Sequence, residues 1–162
     1  MKDWDQILGD WVNPLELLFK NQYIVADLNC VDNLYKMGRK IYPEQLNVFR
    51  AFKECPYNNL SVIIIGQDPY SDGKSTGIAF ANEKDVTRLS PSLKMIKDTV
   101  SRTIYSNRDF DFDPTLISWE KQGVLLLNSA LTVLEDHPLS HLALWEKFMT
   151  YFLIKMSESQ SG

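Results

Sequence analysis

Apolar residues recur at three- and four-residue spacing through the first third of the chain. Ile24, Leu28, Val31 and the Leu34/Tyr35 pair trace one helical stripe. Leu46, Phe49 and Phe52 trace another after Pro43, a residue suited to the first turn of a helix. The period then changes. Ser61-Val62-Ile63-Ile64-Ile65 is a short, continuous, β-branched run of the kind expected for a strand buried on both faces in a parallel sheet. A turn-rich stretch from Gly66 to Gly77 leads to a second β-like run, Ile78-Ala79-Phe80-Ala81. Ser90-Pro91-Ser92 opens a helix with Ser as cap and Pro at its first position, and Leu93, Ile96, Val100 and Ile104 form its apolar stripe. A polar acidic loop, Asp109 to Asp113, precedes a short helix from Pro114 to Gly123. Val124-Leu125-Leu126-Leu127 is a second fully apolar strand. The last helix, Ser140 to Lys155, carries Leu144, Phe148 and Phe152 four residues apart.

Helices, strand, helix, strand, helix is the order of an α/β protein, with a small central parallel sheet between helical layers in a three-layer arrangement. No internal repeat or low-complexity tract interrupts it, so residues 1–162 are expected to form one domain with a polar tail over 156–162. A closing helix with no strand after it leaves a crossover without its landing place, and the expectation is a chain that stops short of its fold.

Composition narrows the class. Hydrophobic content of 44% and charged content of 23% exclude disordered, collagenous and coiled-coil chains. Cys30 and Cys55 are too few for a disulfide scaffold and are expected as buried free thiols. The amino terminus has no apolar signal segment and no stretch approaches a membrane span, so a soluble, cytoplasmic protein without membrane contact is expected. The formal charge of −4 argues against nucleic acid as a partner. Locally that reverses: residues 71–108 hold seven Lys/Arg and four Asp/Glu, a net of +3.

Ligands of open α/β sheets bind outside the carboxyl ends of the strands. Here one strand end continues into Gly66-Gln67-Asp68-Pro69-Tyr70 and the other into Asn128-Ser129. Singly, Asp68-Pro69 is a turn and Asn128 a backbone cap. Together, with Tyr70 and Phe80 as walls, a carboxylate and a carboxamide make a candidate pocket. Asp68 to Ser75 also approaches the phosphate-loop pattern G-x-x-x-x-G-K-[ST]. That reading fails physically: Asp68 stands where the first Gly belongs and repels phosphate, Pro69 removes an N–H donor, and a strand-like run follows where a helix is required. His137 and His141 have no companions that complete a coordination sphere, so no metal is expected and solvated or capping roles suit them better.

Gly66-Gln67-Asp68-Pro69-Tyr70, Gly77-Ile78-Ala79-Phe80, Pro91-Ser92-Leu93, and Leu125-Leu126-Leu127-Asn128 with Leu131-Thr132-Val133 resemble the uracil-DNA glycosylases of the widespread single-domain family. Ile41-Tyr42-Pro43, Val48-Phe49-Arg50-Ala51-Phe52 and Ser140-His141 with Trp145-Glu146-Lys147-Phe148 extend the likeness from about Tyr35 to Phe148. The resemblance implies an enzyme that flips uracil out of DNA and hydrolyses its N-glycosidic bond, as a monomer without a cofactor. It implies Asp68 as the residue that orients water and stabilises the cationic sugar. Phe80 would stack on the base, Asn128 would read its edge, Tyr70 would exclude the thymine methyl, and Gln67 would shape the pocket through its backbone. Ser90 and Ser92 would grip DNA phosphates through N–H groups at their helix start.

Two departures follow from the same likeness. Ser71 replaces the His of the family's GQDPYH motif. The family's further strand and its HPSPLS loop, whose His contacts the departing uracil anion and whose sequel carries a wedging Leu, have no match here. His137-Pro138-Leu139-Ser140 shares letters with that loop but stands before the last helix, so no catalytic part is expected of it. The implied outcome is an amino-terminal two-thirds of such an enzyme, weak or inactive by itself, with Val124–Leu127 left as an exposed apolar edge. The rival readings are a non-catalytic module that binds uracil-DNA or a protein, and a nucleotide binder using Lys74-Ser75.

Overall fold

A computed structural model describes residues 4–159; the start of the chain and the last three residues of the expected polar tail lie outside the described residues. Seven helices and four strands are present among them: α1 (Trp4–Leu8), α2 (Val12–Lys20), α3 (Gln22–Lys36), β1 (Ile41–Tyr42), α4 (Arg50–Glu54), β2 (Val62–Gly66), α5 (Pro91–Thr103), α6 (Ile117–Glu120), β3 (Val124–Asn128), β4 (Val133–Leu134) and α7 (Leu142–Ser159). Beta2 and β3 pair in parallel, Val62 opposite Val124 through Gly66 opposite Asn128, while β1 and β4 form a separate antiparallel pair.

Successive residues of a strand face opposite ways, and the two cores follow from that. Leu125, Leu127 and Ile63 join the large cluster supplied by the amino-terminal helices and α7. Leu126 and Val124 join a smaller cluster with Ile78, Ala79, Leu93 and Leu116. The result is a small parallel sheet between two helical layers, as the alternation of patterns predicts.

The helices form where caps and stripes coincide. In α3 the Asn21 side chain accepts the N–H groups of Tyr23 and Ile24 at 3.0 and 3.3 Å, and Ile24, Leu28 and Val31 are buried. In α7 the buried set is Trp145, Phe148, Met149, Phe152 and Met156, the three-and-four spacing of one helical face. Its Phe148 and Phe152 meet Phe52 of α4 edge-on at 6.3 and 5.6 Å, and Lys147 reaches Asp27 of α3 at 2.7 Å.

Several expectations change. Ile78–Ala81 is no strand: Ile78, Ala79 and Ala81 are buried, but left-handed Gly77 and Phe80 turn the backbone, and Ala79 makes one ladder-like bond, N–H to Leu126 C=O at 3.0 Å. Pro43 does not start a helix. It follows β1, and the apolar stripe behind it breaks into a 3-10 turn, Gln45–Asn47, and the short α4, leaving Leu46 96% exposed. The helix expected from Pro114 begins only at Ile117, after left-handed Leu116. Alpha7 starts two residues late and continues through Ser159 into the segment expected as tail. Cys55 is buried, but Cys30 is exposed.

The largest correction concerns the sheet edges. Beta3, expected to be the bare one, has Leu125, Leu126 and Leu127 buried, whereas Val62, Ile64 and Ile65 of β2 are 48%, 38% and 39% exposed. Beta2 hydrogen-bonds to β3 alone among the described residues. The far edge of β3 is capped instead. Glu120, wholly buried at the end of α6, accepts the Leu126 N–H at 3.1 Å, and Leu126 C=O takes the Ala79 N–H. The other Glu120 oxygen has no hydrogen-bond partner, and burial pushes its carboxyl up to about 8. Burial, with the Glu120 charge second, pushes the neighbouring Cys55 thiol up to about 12.

Two outcomes are expected. An open apolar strand edge is a template for association, so Ile64→Lys reduces concentration-dependent self-association of the 162-residue chain in sedimentation velocity, with little change in Tm. The unfolded chain releases the Glu120 proton near 4.5 and the native state near 8, so the native state binds more protons between them and stability falls as pH rises across that window. Glu120→Gln cannot ionise, and in denaturant titrations it flattens that fall relative to the parent chain, with no difference in slope below the window.

Candidate functional site at the strand ends

The β2–β3 register brings two polar segments to one level. Gly66 lies opposite Asn128, and beyond it Gly66 C=O accepts the Ser129 N–H at 2.9 Å and Gln67 C=O accepts the Ala130 N–H at 3.1 Å. The Ser129 hydroxyl also donates to Gln67 C=O. Gln67 is thus held through its backbone while its side chain is exposed, and Asp68 follows one residue later from a fixed start.

Gly66 is required by space. A Cβ there would collide with Asn128 Oδ1 and lie 3.2 Å from the Phe80 ring edge and 3.3 Å from Ala79 Cβ. The Asn128 amide and the Phe80 ring therefore converge over the one residue with no side chain. Phe80 sits at φ 67°, an unusual conformation for a bulky residue. It is held by its neighbours: Ala79 bonds Leu126, and the Tyr70 hydroxyl donates to Phe80 C=O at 3.1 Å.

Tyr70 links this cluster to α5. Its single proton goes to Phe80, so in the 2.6 Å contact with Ser90 Oγ the serine is the donor. Burial raises the Tyr70 pKa, and the phenol stays neutral. Ser90 is committed twice, since its N–H also donates to Asn82 Oδ1 at 2.8 Å, and its side chain makes no cap bond to α5. The Ser90 N–H is thus engaged within the protein, whereas Ser92 is exposed in the first turn of α5.

Asp68 is half-buried. Its Oδ2 accepts the backbone N–H of Leu139 at 2.6 Å, across 71 positions of sequence. Residues 134–140, which include the look-alike His137-Pro138-Leu139-Ser140, thus brace the carboxylate through a backbone N–H. They are bolted down by Asp136 N–H to Ser71 C=O at 3.0 Å, Leu134 N–H to Ser140 Oγ at 2.9 Å, and Glu135 to Tyr42 and Lys40 at 2.8 and 3.0 Å. The hydrogen bond from Tyr42 and then that from Lys40 lower the Glu135 pKa. A backbone donor leaves no signature in side-chain chemistry.

The histidines take structural parts. His137 Nδ1 lies 2.6 Å from Glu135 C=O. His141, expected in a solvated or capping role, is 6% exposed: its Nδ1 meets Thr132 Oγ1 at 2.8 Å, where the Trp145 indole also donates, and burial lowers its pKa. Lys74 is tied to Asp72 at 2.7 Å, and no helix follows the 71–74 turn. Among the described residues no cluster of three or more His, Cys, Asp or Glu could hold a metal ion. No helix among the described residues is long and apolar enough to cross a membrane. A cavity of about 1040 Å³ is lined by Tyr70 and Ser90 but by none of Gln67, Asp68, Phe80, Ser92 and Asn128.

Fold and cluster together define an α/β protein with a carboxamide and an aromatic ring meeting over Gly66 at the carboxyl ends of two parallel strands, and a carboxylate two residues further along the chain. Residues 52–159 match the family model of the uracil DNA glycosylase superfamily, and the chain belongs to that family. It is 34% identical over 157 residues to the uracil-DNA glycosylase of Aliivibrio salmonicida, covering 94% of this chain and 68% of that protein. It is 42% identical over 140 residues to that of Streptococcus uberis, covering 85% and 62%. The crystal structure of mimivirus uracil-DNA glycosylase superposes with a TM-score of 0.79 at 21% identity, over 91% of this chain and 55% of that one. The chain thus spans about two thirds of these curated relatives and just over half of the viral structure.

Crowding at Gly66 is testable in isolation. Gly66→Ala costs about 1–3 kcal/mol in denaturant titrations, the usual price of overpacking. Because the clash is with the Asn128 side chain, the cost of adding Asn128→Ala is less than additive, and the double-mutant cycle reads that coupling directly.

Proposed function

We propose that this chain carries the uracil-recognising and water-orienting part of a uracil-DNA N-glycosylase. The observation that carries the reading is the in-register pairing of Gly66 with Asn128, which sets the Asn128 amide and the Phe80 ring over one glycine, with Asp68 two residues along. Family membership supports it.

Uracil must first leave the base stack, at a cost of a few kcal/mol. Phe80 receives its face. The Asn128 amide offers one acceptor and one donor, matching uracil N3–H and O4; cytosine reverses that polarity and leaves buried groups unpaired. Tyr70, its ring fixed by the bonds of its hydroxyl, occupies the space a thymine methyl needs. With Oδ2 of Asp68 engaged by Leu139, the other oxygen is left to orient a water at the sugar and to stabilise positive charge growing there. Ser92 meets a phosphate at the start of α5. The protein acts as a monomer, in the cytoplasm.

The test compares binding and uracil release on single-stranded oligonucleotides with a central uracil, thymine or cytosine. The expected result is at least about tenfold tighter binding of the uracil strand, with Phe80→Ala losing about 1–3 kcal/mol of it, the value of one base stack. Uracil release by the 162-residue chain is weak or absent, and Asp68→Asn keeps the binding while abolishing any release that is seen. Equal affinity for the three strands would falsify the reading. A non-catalytic binder would be indifferent to Asp68→Asn in every assay, and a nucleotide binder would gain Tm from ATP.

A further inference from the structure

Tyr70 also borders a concave feature whose lining includes none of Gln67, Asp68, Phe80 or Asn128. The cavity of about 1040 Å³ begins at Tyr70 and Ser90, passes the loop at Arg88, and follows one face of α5 to Arg102. Lys94, Asp98 and Arg102 are four residues apart, so they stand one above the other along that face. Ser90 to Arg102 spans about 18 Å at 1.5 Å per residue.

The charge along it is one-sided once pairs are counted. Lys74 neutralises Asp72 at 2.7 Å, and Lys94 neutralises Asp98 at 2.6 Å. Arg88 and Arg102 line the same cavity, are exposed, and have no ion-pair partner among the described residues. An elongated trough with two unmatched guanidinium groups suits an extended polyanion better than a compact one. Guanidinium is the side chain best shaped for phosphate.

We infer that this trough is a track for the phosphodiester backbone of the DNA strand continuing from the flipped nucleotide, with Arg88 and Arg102 as its phosphate contacts. The inference rests on the proposed function, and it adds a strand-binding surface on α5 distinct from the base cluster and from Ser92. Tyr70 is the hinge between the two, since its hydroxyl bonds Phe80 on one side and Ser90 on the other. The trough lends affinity without reading sequence, as phosphate contacts do.

The experiment uses fluorescence anisotropy with the 162-residue chain, a labelled 15-nucleotide single strand with a central uracil, the same strand with thymine, and a trinucleotide centred on uracil. The parent chain binds the 15-mer more tightly than the trinucleotide. The double variant Arg88→Ala/Arg102→Ala binds the 15-mer several-fold more weakly. Its log Kd against log salt slope is smaller by about 1.4, two contacts at ~0.7 each. Its affinity for the trinucleotide is unchanged. Lys36→Ala, on α3 and outside the trough, changes neither. An unaltered slope in the arginine variant overturns the trough, as does an equal loss in Lys36→Ala. Loss of uracil-over-thymine preference in the parent chain would instead sink the base-binding reading, and the two failures are separable.

Discussion

Five residue pairs in parallel, Val62–Val124 to Gly66–Asn128, hold the rest of the molecule in place. Because strand residues alternate, the same ladder commits Ile63, Leu125 and Leu127 to one helical layer and Leu126 and Val124 to the other. Because the register is parallel, both strands end at the same level, which sets Asn128 beside Gly66 and starts the 67–70 segment from the same edge. A slip by one residue would exchange the cores and lift Asn128 away from Gly66 together. Packing and site placement are thus one constraint.

The outer edge of β3 shows how that ladder is stopped. Leu126 points its N–H and C=O away from β2, and both are satisfied, by Glu120 and by Ala79. A buried carboxyl is a costly way to cap one N–H, yet it admits no further strand. That also accounts for the apolar run 78–81 failing to become one. It meets β3 at a single residue, and Phe80 then turns away. The same bond fixes Ala79, next to the ring that faces Asn128. Beta2 has no such stop among the described residues, and its exposed Val62, Ile64 and Ile65 are the counterpart of that difference.

What the sequence discloses follows the same division. Continuous β-branched and leucine runs disclose β2 and β3, and their polar continuations disclose Asp68 and Asn128, because strand chemistry and strand ends are local. Burial is disclosed too, but not its form: Ile78–Ala81 is buried as a turn. Hidden are the features that depend on backbone groups far away in sequence. The Leu139 N–H on Asp68, the double commitment of Ser90 and the burial of His141 against Thr132 all arise from distant segments meeting. Net charge is uninformative for a related reason. Charges separated by more than about 8–10 Å are largely screened at physiological salt, so a total of −4 says little about a trough with two unmatched arginines.

Among the described residues three bulky side chains, Phe80, Leu116 and Leu139, sit in the left-handed region, and two of them adjoin this cluster. Phe80 at φ 67° and Leu139 at φ 68° are bulky residues in the left-handed region, where each costs of order 1–3 kcal/mol. One presents its ring to Asn128, and the other presents its N–H to Asp68. Each conformation is held from outside the residue, Phe80 by Tyr70 and the Ala79–Leu126 bond, Leu139 by Asp68 and the bolts on residues 134–140. A relaxed backbone at either position would re-aim the very group that the cluster uses. The fold therefore spends stability where orientation matters, and the ladder between the two cores supplies the rigidity that lets both strained residues persist.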